Sequence, residues 1–118
     1  EAIERGLTQV GGQVVEREKV HVIKLGEDNV CMTPDMVVNV GGKNYLVEIK
    51  STLEKSMDYA TLQTSIYRYL LEATGKKIDE CVIVDGALKT MKLPCDSKVG
   101  KEELIKRMNQ GLLRWGVR

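Results

Sequence analysis

Residues Met32 to Lys50 read MTPDMVVNVGGKNYLVEIK, and how this stretch pairs with itself decides the fold. VVNV and YLVEIK are rich in β-branched and aromatic residues, which favour strands. Gly41-Gly42-Lys43-Asn44 between them tolerates positive φ, so the stretch predicts two strands joined by a tight turn. Asp35 falls on the first strand, and Glu48 and Lys50 fall two apart on the second. Side chains alternate across a strand, so Glu48 and Lys50 point the same way. A two-residue turn at Gly41-Gly42 sets Asp35 opposite Glu48. A four-residue loop from Gly41 to Asn44 sets it opposite Lys50. Either register gathers two carboxylates and an ammonium on one face, with Cβ atoms roughly 5–8 Å apart.

Such a group suits one chemistry well. Two hard oxygen ligands hold Mg²⁺ or Mn²⁺, ions that keep several waters and take the rest of their shell from a phosphate. The metal polarises a phosphodiester and lowers the pKa of an attacking water. A lysine beside it orients that water or offsets charge on the phosphorus.

Pro34-Asp35 followed by Glu48-Ile49-Lys50 resembles the PD-(D/E)xK nuclease motif, and Gln63-Thr64-Ser65-Ile66-Tyr67 is similar to the QxxxY motif of its RecB-type exonuclease branch. The similarity covers Met32 to Asp85. It implies a metal-dependent deoxyribonuclease acting on single- or double-stranded DNA. Asp35 and Glu48 would be metal ligands, joined by the main-chain carbonyl of Ile49. Lys50 would stand next to the water nucleophile, with Gln63 and Tyr67 on a helix over the site. The implied fold is a restriction-endonuclease-like α/β sandwich with a mixed central β-sheet flanked by helices. RecB-type enzymes usually place a histidine on an upstream helix. The only histidine here, His21, falls on a predicted strand and reads as a surface residue. Glu1 or Glu4 would fill the role, as a helix glutamate does in junction-resolving nucleases, and Glu4 is preferred. Two alternatives stand beside the exonuclease-like reading. One is a Holliday-junction-resolvase-like endonuclease; the other is a catalytically inactive nuclease-like module for DNA binding or assembly.

Composition limits the classes available. At 118 residues, 30% charged and 42% apolar, the chain is sized for a single domain, 1–118, and starts at Glu1 rather than Met, which leaves room for residues upstream. No apolar run approaches the ~20 residues of a membrane span, and the cysteine pattern fits the reduced thiols of an intracellular protein, which is the expectation. The formal net charge is only +1, which excludes a surface uniformly positive for DNA. Its last stretch is more basic: Lys98, Lys101, Lys106, Arg107, Arg114 and Arg118 stand against Glu102 and Glu103. A domain of this size has little surface for a substrate channel, which leaves room for a second copy or a protein partner to complete one. Cys31, Cys81 and Cys95 are widely spaced without a C-x-x-C, so reduced thiols are expected rather than zinc or disulfides. Some RecB-type nucleases hold an iron–sulfur cluster through one upstream and several C-terminal cysteines. That pattern is missing here, and no cluster is expected.

Outside the central stretch, Glu1 to Leu7 reads as the end of a helix and Gln13 to Leu25 as one strand or two. Gly26 to Asn29 is a turn. Pro34 predicts a bulge or an edge beside Asp35. A helix from Ser56 or Asp58 to about Thr74 carries Leu62, Ile66, Tyr69, Leu70 and Ala73 as its apolar stripe and ends at Gly75. Cys81 to Val84 and Leu88 to Leu93 are strands. A last helix from Lys101 to about Leu113 buries Leu104, Ile105, Met108 and Leu112, with Trp115 seating its end.

Overall fold

The turn has two residues. In the computed structural model, which describes residues 12–25, 27–49, 57–85 and 89–110, Val40 pairs directly with Lys43, and Gly41 and Gly42 take φ values of 59° and 83°. Two successive positive φ values make a type I′ turn, whose twist matches the strands it joins. The register then sets Met36 against Val47. One step further, Asp35 comes opposite Glu48.

The described elements are β1 (Gly12–Arg17), β2 (His21–Leu25), β3 (Asp28–Met32), β4 (Met36–Val40), β5 (Lys43–Ile49), α1 (Met57–Ala73), β6 (Glu80–Val84), β7 (Thr90–Leu93) and α2 (Ser97–Asn109). Five strands form a mixed sheet in the order β1-β4-β5-β6-β7, and β2 and β3 form a separate antiparallel ribbon. Only the β5–β6 pair is parallel within the five-stranded sheet, with α1 as its crossover. The sheet flanked by two helices is compatible with the expected α/β sandwich. Among the described residues, no helix is long and apolar enough to cross a membrane.

Strand parity separates two apolar clusters. Val37, Leu46, Cys81 and Ile83 face α1, whose Ala60, Ile66, Tyr67, Leu70 and Leu71 complete the larger core with Leu104 of α2. Met36, Val38, Val47 and Val84 form the cluster on the other face. The stripe of α1 is therefore shifted from the expected one. Leu62 is half-buried and Ala73 exposed, while Ala60, Gln63, Thr64 and Leu71 are buried, because α1 packs against α2 as well as the sheet. Gly75, at φ 92°, ends the helix as expected. The Lys76 N–H reaches the Leu71 carbonyl and the Gly75 N–H the Glu72 carbonyl, the paired bonds of a Schellman cap.

Five other expectations are corrected. The bulge lies in β1 between Val14 and Glu16, not beside Asp35. Its extra residue turns Glu16 to the helix side, where Oε1 meets His21 Nε2 at 2.7 Å and Oε2 accepts from Lys76 Nζ at 2.6 Å. His21 is thus a partly buried partner of Glu16 rather than a surface residue. The last helix begins four residues early, capped by Asp96, whose carboxylate accepts the Lys98 N–H at 2.8 Å; Ile105 is exposed on it. Cys81 and Cys95 are joined in a disulfide, and Cys31 is free. The expected first helix with Glu4, the Lys50 position, Leu112 and Trp115 lie outside the described residues.

Gly100 sits inside α2 because α1 passes too close for any side chain. A Cβ there would lie 2.0 Å from the Ser65 carbonyl oxygen. Gly100→Ala should therefore destabilise the protein by about 2–3 kcal/mol despite its better helix propensity. Urea unfolding would measure this, and an unchanged or raised midpoint would refute the close crossing.

Burial alone would push the Glu16 carboxyl up, yet the hydrogen bonds and charges of Lys76 and His21 hold it below the ordinary 4.5. A depressed folded pKa contributes stability that is present above about pH 4.5 and lost as the pH falls through the lower folded value. Glu16→Gln should lower stability at pH 7 and flatten the acid limb of stability against pH. The gap between parent and variant should narrow by pH 3; a gap that stays constant would count against the ion cluster.

Candidate functional site

Asp35 lies one residue before β4, and its Oδ2 accepts the backbone N–H of Ile49 at 2.7 Å. That bond ties the carboxylate to the far end of β5, diagonally past Glu48. Glu48 shares the helix-facing side of β5 with Leu46, and is only 5% exposed. Asp35 is half-buried and Ile49 exposed, so the pair runs from the interior toward the surface where β5 ends. Burying a carboxylate is costly unless it is paired or ligated.

Helix α1 lays Gln63 and Tyr67, one turn apart, over this end of the sheet. Both are buried, and Gln63 Nε2 donates to Tyr67 Oη at 2.7 Å. The phenol is pushed up to about 12, first by burial, against the Gln63 hydrogen bond and with the negative charges of Glu48, Asp35 and Tyr59 adding to it. Those charges reach Tyr67 because the four side chains share one face. Gln63 Oε1 is buried without a hydrogen-bond partner among the described residues. Turning the amide over would let Tyr67 donate to the oxygen and leave the –NH₂ instead. Either way Gln63 keeps one polar group for something else. Tyr59, one further turn toward the helix start, is half-exposed at the rim.

The structure thus gathers Asp35, Glu48, Gln63 and Tyr67, with the Ile49 backbone bound to Asp35. Lys50 and Glu4 lie outside the described residues. Sequence reading missed Asp85. Because Glu48 pairs with Ile83 in parallel, Asp85 comes to the same face and the same strand end, where its Oδ1 accepts the Lys89 N–H at 2.9 Å. Only the parallel β5–β6 pairing reveals this placement; the sequence shows just an Asp-Gly turn. Among the described residues, no three His, Cys, Asp or Glu side chains converge as a metal-binding group. The candidate donors are the Asp35 and Glu48 carboxylates and the Gln63 amide oxygen, with Asp85 at the same strand end. That set fits a hard cation that takes one or two carboxylates and fills its shell with water and phosphate.

No protein-family model matches the chain, and no curated protein matches it. Among solved structures, the crystal structure of SSO0001 is similar, with a TM-score of 0.53 and 19% identity. The match covers 97% of this chain and 59% of that one. At that identity the likeness is one of fold.

Tyr67 offers a direct probe of the site. Its raised pKa favours the neutral phenol in the folded state, so the associated stability is present below about pH 10 and is lost as the pH rises through about 12. In a phenolate absorbance titration, one of the four tyrosines should ionise last, and Tyr67→Phe should remove that step. The same late step in the variant would show that Tyr67 is not held against the carboxylates.

Proposed function

We propose that the chain is a metal-dependent deoxyribonuclease of RecB-type character, acting on DNA inside a cell. The observation that carries the reading is the placement of Asp35 opposite Glu48, beneath a helix that presents Gln63 and Tyr67 to the same face. Asp35 and Glu48 would hold Mg²⁺ or Mn²⁺, whose chemistry when bound is to polarise the phosphodiester and acidify the attacking water. The Ile49 N–H fixes one Asp35 oxygen, so the carboxylate is oriented before any ligand arrives. The spare polar group of Gln63 would bind a phosphate oxygen or a metal-bound water. The neutral Tyr67 phenol holds the Gln63 amide in place. Burial of Glu48 and Tyr67 excludes bulk water from one side of the reacting group. Lys50, two residues beyond Glu48, keeps the role that its motif implies. The proposed products carry 5′-phosphate and 3′-hydroxyl ends.

End-labelled and circular DNA, single- and double-stranded, should be cut with Mn²⁺ or Mg²⁺ and spared with EDTA. Glu48→Gln should lower cutting by roughly 100-fold or more while the fold persists. Mn²⁺ at 100 times its Kd should stabilise the parent by about 2.7 kcal/mol and the variant far less. Absence of cutting together with a melting temperature indifferent to Mn²⁺ would replace this reading with that of a non-enzymatic DNA-binding module.

A further inference from the structure

The Cys81–Cys95 disulfide sits where a change in it would be felt by the candidate site. Cys81 lies on β6 and is 1% exposed; Cys95, at 9%, lies in the segment between β7 and α2. Immediately after it, Asp96 caps α2 and donates its N–H to Ser65 Oγ at 3.0 Å. Arg68 Nη1 donates to the Cys95 carbonyl at 3.1 Å, and Ser97 Oγ hydrogen-bonds the Glu72 carboxylate. Gly100 rests on the Ser65 backbone. The start of α2 is therefore hung on one stripe of α1, residues 65, 68 and 72, and bonded covalently to the sheet. The neighbouring stripe of α1 carries Gln63 and Tyr67.

Arg68 supplies an independent observation. Its Nη1 lies 3.7 Å from Cys95 Sγ, and its Nε is buried without a hydrogen-bond partner among the described residues. That Nε still faces the Glu72 carboxylate at 3.7 Å, so the guanidinium spans the Cys95 sulfur and an acid of its own helix.

We propose that Cys81–Cys95 is a redox-operated strap. Closed, it seats α2 on α1 and so fixes Gln63 and Tyr67 over Asp35 and Glu48. Opened, it loosens that stripe while the sheet stays folded. Opening is a two-electron exchange with a dithiol. The S–S bond breaks, and the reductant leaves as its own disulfide. Cys81 and Cys95 each leave the exchange as a thiol, taking up the two protons that the dithiol gives up. The consequence for cleavage rests on the proposed nuclease function, but the strap itself does not. A disulfide in a protein acting inside a cell would meet such reductants.

The test is hydrogen–deuterium exchange on the whole chain, air-oxidised and after reduction with dithiothreitol, with a thiol count on each. The oxidised protein should titrate one thiol, Cys31, and the reduced protein three. Reduction should speed exchange by about 10–100-fold in residues 63–72 and 96–104, leave residues 36–49 protected, and reverse on reoxidation. Cys95→Ser should show the loosened pattern in both conditions, and Cys31→Ser should behave as the parent. Three thiols in the oxidised protein would overturn the proposal. So would unchanged exchange at 63–72, or loss of protection across the sheet, which would make the bond a plain staple. Metal-dependent cutting, if present, should fall on reduction and recover on reoxidation. A protein that never cuts but shows the exchange pattern would refute the nuclease reading and leave the strap standing.

Discussion

A two-residue turn cannot slip by one position without sending every side chain of a strand to the opposite face. Gly41 and Gly42 hold that constraint here, and with it the assignment of Val37 and Leu46 to the helix side and of Met36 and Val47 to the other. Asp35 and Glu48 inherit their positions from it. A four-residue loop would have moved Asp35 opposite residue 50 and broken the diagonal by which the Ile49 N–H reaches its carboxylate. The arrangement of charge in the candidate site is thus a consequence of backbone geometry at the opposite end of the hairpin.

The hairpin was legible because its signals are local. Two glycines between β-branched runs mark a tight turn, whose length the structure fixes at two residues, and Gly75 after an apolar helix marks its end. Asp35 and Glu48 were readable as a pair from strand period and turn length, whereas Gln63 and Tyr67 were joined to them only by the resemblance to the QxxxY motif. What escaped depended on contacts between distant segments. Gly100 is a poor helix former on propensity, and only the crossing at Ser65 accounts for its place inside α2, four residues past the Asp96 cap. The bulge at Val14–Glu16 has no signature in GQVVER; its partners are His21 and, sixty residues away, Lys76, which meet the Glu16 carboxylate on the helix side. Cysteine spacing pointed to reduced thiols and so away from Cys81–Cys95, since only the β6–β7 pairing brings their backbones to a Cα separation of 6.1 Å.

Helix α1 is held by ties of different kinds along its length. Beyond its C-terminus, Lys76 binds Glu16, and Asn44 accepts the Asp79 N–H while its own N–H goes to the Asp79 carboxylate. At mid-helix, α2 bears on Ser65, Arg68 and Glu72. Gln63 and Tyr59 lie on the N-terminal side of all of these. A rigid rod anchored at one end moves most at the other, so a small tilt of α1 about its C-terminal ties would displace Gln63 more than Leu70. The contact that resists such a tilt nearest to Gln63 is the Ser65–Asp96–Gly100 crossing. The geometry over Asp35 and Glu48 therefore depends more on how α2 is seated than on the many apolar contacts further down the helix, and seating α2 is the task in which a covalent bond from β6 takes part.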